Sequence, residues 1–170
     1  GRSTAKAISL AVSIIQNELL FVGTSLETKR TYFWKTEEFE MNIMMLLEMV
    51  QATFPDRKAF TDGSSGASYD YQELFEAARR RAASVQNSGA SRLVKLDVSN
   101  LGTPLSLFTS AWAGVPYVPL NYRLTDEEIE ALLKRVTPAY LVTEEDRIDT
   151  LGSVDDVAAH TTTSFLDAGN

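Results

Sequence analysis

The chain has 170 residues, 44% hydrophobic and 23% charged, with a formal net charge of -7 and no cysteine. That length and mixture suit one soluble folded domain and exclude a disordered, fibrous or disulfide-stapled chain. The acidic balance, with Arg79-Arg80-Arg81 as the one local basic run, argues against nucleic acid as a partner, and His160 is the only imidazole available for metal or triad chemistry.

Ala5 to Val22 is the most apolar stretch, but Lys6 and Gln16-Asn17-Glu18 interrupt it before it could span a bilayer, and no small-x-small cleavage site follows. No transmembrane segment and a cytoplasmic location are therefore expected. Residues 1–40 read as an N-terminal extension, non-native or helical, and the regular pattern begins at Met41. After Asn42 as N-cap, Ile43, Leu46, Leu47, Val50 and Phe54 form one helical stripe that Pro55 ends. The Met-rich start of this segment suits a core or an interface.

Lys58 to Thr61 and Ala67 to Tyr69 flank Asp62-Gly63-Ser64-Ser65-Gly66, a turn composition that predicts a β-hairpin. Asp70, with Glu73 completing a capping box, starts a helix from Tyr71 to about Asn87, whose apolar face is Tyr71, Leu74, Phe75, Ala78, Ala82 and Val85. Leu93 to Val98 reads as a strand in which Lys95 and Asp97 alternate with apolar residues, so one face is expected to meet solvent or a missing neighbour. Thr103-Pro104 reads as N-cap and first turn of a helix bounded by Gly114, with Leu105, Phe108 and Trp112 on one face. Val115 to Leu120 is a short strand, Thr125 with Glu128 caps a helix to about Val136, and Ala139 to Thr143 is the next strand. Beyond these, Arg147 to Leu151 is expected to make a helical turn and Ser164 to Leu166 to begin a further strand. Strands alternating with helices predict parallel pairing with right-handed crossovers: an α/β fold with a parallel β-α-β-α-β sheet, flanking helices and an N-terminal β-hairpin.

Phe54-Pro55-Asp56-Arg57, Tyr71-Gln72-Glu73-Leu74, Ala113-Gly114 and Tyr117-Val118-Pro119-Leu120-Asn121, in that order and spacing, resemble the start of the adenylate-forming (AMP-binding) superfamily. Its members include acyl-CoA synthetases and fatty-acyl-AMP ligases, which the chain resembles most. The resemblance runs from about Ile43 to Glu145 and is strongest from Ala111 to Asn121 followed by Arg123-Leu124-Thr125. It implies that Tyr71, Glu73, Leu74, Gly114, Tyr117, Pro119, Leu120, Asn121, Arg123 and Thr125 are architectural motif residues. Two positions depart from the family pattern: the chain passes from Gly89-Ala90-Ser91 directly to Arg92 without the usual Gly-Asp pair, and Ser99 stands where a proline usually precedes Asn100.

The resemblance also implies ATP and Mg in the full-length enzyme, which joins a carboxylate to AMP and then usually passes the acyl group to the thiol of CoA or a carrier protein. The family's Ser/Thr/Gly-rich loop ending in lysine is missing: Thr161-Thr162-Thr163-Ser164 has hydroxyls, but neither flanking glycines nor a lysine. No catalytic, cofactor-binding or metal-binding residue is therefore assigned within the chain. Residues 41–170 are expected to be the N-terminal subdomain of such a ligase, truncated before the phosphate-binding loop and inactive alone, with the rest of the ligase or another copy of itself as partner. The alternative is a stand-alone interaction or self-association module. Asp126-Glu127-Glu128 suits a helix N-terminus, Glu144-Glu145-Asp146 a solvated run, Arg79-Arg80-Arg81 a partly solvated turn, and His160 the surface.

Overall fold

The computed structural model describes residues 42–167, within the second of two compact units, Glu40–Asn170. The expectations for residues 1–40 lie outside the described residues. Helix α1 (Ile43–Thr53) leads into a hairpin of β1 (Lys58–Thr61) and β2 (Ser68–Asp70), then α2 (Tyr71–Asn87), β3 (Arg92–Leu96), α3 (Gly102–Ala113) and β4 (Tyr117–Pro119). There follow α4 (Asp126–Leu133), β5 (Ala139–Thr143), a 3-10 turn (Glu145–Arg147), α5 (Ile148–Leu151), β6 (Val157–Thr161) and α6 (Thr162–Asp167).

The hairpin is antiparallel, pairing Thr61 with Ser68, and its turn is tied by Asp62 Oδ1, which accepts the Ser64 and Ser65 amides at 2.7 and 3.0 Å. The larger sheet is parallel throughout, in the order β4-β3-β5-β6. Alternation along its strands divides the core. Leu93, Tyr140 and Val142 pack with α1, α2 and α3, while Val94, Leu96 and Leu141 pack with α4 and Leu151 of α5. The connection from β3 runs to one side of the sheet over the first face. Those from β4 and β5 run to the other side over the second face, so all the crossovers share one hand, as expected of right-handed parallel units.

Local signals explain where the helices start. Asp70 and Glu73 exchange side-chain and backbone hydrogen bonds as a capping box, and Thr125 and Glu128 do the same. Gly114 ends α3 at φ 74, in the left-handed region, and nothing lies within 4 Å of a Cβ placed there. Gly114→Ala is therefore expected to cost about 1 kcal/mol from backbone conformation alone, measurable as a lower urea midpoint at unchanged slope.

Four expectations are corrected. On α1 the buried residues are Met44 and Leu47, whereas Ile43, Leu46 and Phe54 are 38%, 51% and 47% exposed. The helix is apolar on several sides, so periodicity alone could not choose the face that Asn42 Nδ2 fixes by donating to Ala111 O of α3 at 2.9 Å. Strand β3 has no solvent face: it lies between β4 and β5 with Leu93 through Leu96 all buried, Lys95 included. Thr103 is not the cap of α3, which begins at Gly102 with no cap from its own first residues. Finally, Ser164 to Leu166 is helical and the fourth strand is Val157–Thr161, where alanine and histidine carry little strand preference and pairing with β5 decides the conformation.

Candidate functional site

In an open parallel sheet, ligand crevices form at the carboxyl ends of adjacent strands whose onward connections leave in opposite directions. Here those strands are β3 and β5. Side chains of this chain fill the position. Asp97, just past β3, accepts three hydrogen bonds at Oδ2: from Lys95 Nζ at 2.8 Å, from Asn100 Nδ2 at 2.7 Å and from Thr162 Oγ1 at 2.7 Å. Lys95 Nζ also donates to Thr162 Oγ1 at 3.0 Å. The Lys95 and Asp97 side chains are each 3% exposed, so this is an ion pair sealed from water.

Asn100 links that pair to the neighbouring helix. Its Oδ1 accepts the Gly102 amide at 2.9 Å, supplying the acceptor that the start of α3 otherwise lacks. A side chain there would crowd the pair: a Cβ on Gly102 would stand 2.9 Å from Asn100 Oδ1, 3.2 Å from Thr162 Cγ2 and 3.3 Å from Lys95 Cε, so these side chains would have to shift. On the other side of the crevice, Thr143 Oγ1 at the end of β5 is buried without a hydrogen-bond partner among the described residues, as is Asp97 Oδ1.

Burial by itself would raise the Asp97 pKa, but hydrogen bonds from Lys95 and Thr162 lead the interactions that hold it down at about 2. The Asp97 carboxylate beside it, and then burial, push the Glu144 carboxyl up. Burial pushes Lys95 down against the pull of Asp97. The Lys95–Asp97 arrangement holds its charges in place, away from water.

The motif residues of the sequence are distributed along the scaffold. Leu74 is fully buried and Tyr71 packs at the edge of the same core. Tyr117 and Pro119 belong to β4, and the Leu120 amide donates to Lys95 O at 2.9 Å, so this segment borders the crevice through its backbone. Asn121 Oδ1 accepts the Arg123 amide at 3.0 Å, and the Arg123 guanidinium lies over the Tyr122 ring at 5.5 Å. Glu73, Gly114 and Thr125 hold the helix ends described above. None of the ten contributes a side-chain hydrogen bond to Lys95 or Asp97 among the described residues.

Lys95, Asp97, Asn100 and Thr162 were not singled out from sequence. The signal was present in part: Lys95 and Asp97 are two apart and so share a face, and Asn100 follows at once. Thr162 belongs to the tract weighed as a phosphate loop, yet its hydroxyl is committed to Asp97, and Thr161 Oγ1 accepts the Ser164 amide at 3.0 Å. His160 is corrected from a surface residue to a half-buried one stacked on Tyr140, with ring centroids 4.3 Å apart and burial lowering its pKa. Arg147 Nε lies 3.7 Å from Asp126 Oδ1, which gives one carboxylate of that acidic run an ionic partner.

Residues 47–169 match the AMP-binding enzyme family. The chain belongs to that family. Its fold is similar to that of a protein from Rhodopseudomonas palustris assigned as a long-chain-fatty-acid CoA ligase, with 25% identity and a TM-score of 0.63 over 71% of this chain and 32% of that one. It is also similar to a benzoate CoA ligase from Burkholderia xenovorans, at 19% identity and TM-score 0.65 over 75% and 28% of the two chains. The N-terminal domain of FACL13 from Mycobacterium tuberculosis gives 19% and 0.65 over 75% and 35%. At these identities the last two show the fold alone. The AMP-binding chain thus spans about a third of the length of the structures it matches, and its fold is that of the N-terminal part of adenylate-forming enzymes. No curated protein matches the sequence. Among the described residues, no helix is long and apolar enough to cross a membrane.

Proposed function

We propose that residues 41–170 serve as the N-terminal scaffold of an ATP-dependent acyl-activating ligase, and that these 170 residues alone do not catalyse adenylation. The observation that carries this reading is the sealed carboxyl end of the sheet. In a parallel sheet that is the place for a ligand, and among the described residues the lysine there, Lys95, is neutralised by Asp97. ATP and Mg find no suitable donors in it: a triphosphate needs free backbone N-H groups and an unpaired cation, and among the described residues no three His, Cys, Asp or Glu side chains group to hold a metal. ATP, Mg, the acyl substrate and CoA or a carrier protein then belong to the complete enzyme, in which the described sheet supplies a rigid wall.

A calorimetric titration of the purified chain with MgATP, paired with an acid-dependent pyrophosphate-exchange assay, is expected to give neither saturable heat nor exchange. Saturable binding or exchange by this chain would refute the scaffold reading. A second reading, a module that binds another copy of itself, draws on the exposed Leu46 and Met49 of α1, 51% and 66% accessible. Sedimentation over a range of concentrations separates the two, because a module built for self-association gives a defined dimer.

A further inference from the structure

One oxygen of the sealed ion pair is left without a donor. Asp97 Oδ2 takes hydrogen bonds from Lys95 at 2.8 Å and from Asn100 and Thr162 at 2.7 Å each, which already fills its lone pairs. Asp97 Oδ1 belongs to the same side chain, 3% exposed, and is buried with no donor among the described residues. A buried charged oxygen in that position is strongly unfavourable unless a neighbour supplies a proton to it.

The sheet register points to the neighbour. Lys95 lies opposite Val142 and Leu96 opposite Thr143 in the parallel pairing of β3 with β5, so the next pair along is Asp97 and Glu144. Glu144 keeps an extended backbone, φ -70 and ψ 158, which carries the alternation of β5 one residue past its end. Its side chain therefore leaves on the face of Val142, the face that Lys95 and Asp97 share, and comes within hydrogen-bonding reach of Asp97. Glu144 is exposed, so it meets the pair from the water side.

Two carboxylates this close do not both ionise without cost. Asp97 and, on its own turn, Asp146 favour the protonated form of Glu144, and Arg147 opposes them. Arg147 is partly engaged, with its Nε 3.7 Å from Asp126 Oδ1 of α4. Lys95 is held at the far oxygen of Asp97, and the strand end on the other side brings only the neutral Thr162.

We propose that Glu144 is a proton-gated latch on the crevice at the ends of β3 and β5. Protonated, its carboxyl O-H donates to Asp97 Oδ1 and closes the ion pair against water; ionised, it turns out to solvent and leaves Oδ1 to water. Because folding raises the Glu144 carboxyl above 4.5, the latch contributes fully below that pH and is lost as pH rises through the folded value. It rests on the strand ends and is independent of the adenylation reading.

The test compares Glu144→Gln, whose amide N-H donates at any pH, with Glu144→Ala, which has no donor, by urea denaturation at about pH 4 and about pH 7. Both change an exposed side chain, so both should fold. At the lower pH the alanine variant is expected to have a lower midpoint than the parent, and the glutamine variant an equal one. At the higher pH the glutamine variant should exceed the parent, which has lost its donor. Carboxyl carbon resonances of the parent give a second readout. Glu144 should titrate above 4.5, and the Asp97 signal should move in the same step although Asp97, held down at about 2, stays ionised. Any one of three results would overturn the latch: Glu144 titrating at or below 4.5, an Asp97 signal silent through that step, or the two variants matching at both pH values.

Discussion

Lys95→Met should destabilise the chain by about 3–5 kcal/mol, because it leaves the Asp97 carboxylate buried with its charge uncompensated. Asp97 would keep the Asn100 and Thr162 hydrogen bonds, 2.7 Å each, but neither partner is charged. The double variant Lys95→Met/Asp97→Leu is expected to recover most or all of the loss, since exchanging a buried ion pair for apolar groups of similar size is often neutral or better. Urea denaturation of the two singles and the double, followed by fluorescence and circular dichroism to check for one transition, gives the coupling directly. Additive losses would mean that the pair does not act as a unit.

The same pair sets an acid limit. Folding lowers the Asp97 pKa from 3.8 to about 2, so the stability it contributes is complete above about pH 4 and drains away as pH falls toward 2. Glu144 acts in the opposite sense. Its folded value is raised above 4.5, so its contribution is present below that pH and is lost as the group gives up its proton at higher pH. The parent should therefore lose more stability between pH 4 and pH 2 than the double variant does.

Leu141→Ala is expected to cost about 2–5 kcal/mol, the upper range if the space left behind stays empty. Leu141 is fully buried at the middle of β5, paired on one side with Val94 of β3 and on the other with Ala159 of β6, and it packs in the cluster with Ile129 and Leu133 of α4. Backbone hydrogen bonding holds these strands together and limits how far α4 can settle into the gap. A drop in the urea midpoint with the slope preserved is the expected outcome, and a loss under about 1 kcal/mol would show a core that collapses freely around this position.

Much of what is written within a few residues could be read from the sequence, although the start of α3 was misplaced at Thr103. Asp70 with Glu73 and Thr125 with Glu128 are three residues apart, so both caps follow from local spacing, and the alternation of helix and strand from Tyr71 to Thr143 is enough to demand a parallel sheet. Strand order was harder. Lys95 looks like a solvent-facing residue until β5 is known to lie against β3, and its partner Thr162 is 67 residues away. For β6, sequence preference is nearly silent, and the strand exists because β5 offers an edge. Arg81 is different, for seven residues after Leu74 is a core position, and the helical period already placed a charge among alanines.

The hydroxyl that closes the Lys95–Asp97 pair arrives late along the chain. Lys95 and Asp97 are joined by a two-residue step, and Asn100 follows immediately, but Thr162 must wait until β5 and β6 have docked. Long-range contacts of this kind repay their loop-closure entropy only at the end. The dry charge pair thus reports completed assembly: with β6 absent it is left wet and weak, and with β6 in place it locks three strand ends and the start of α3 in one step.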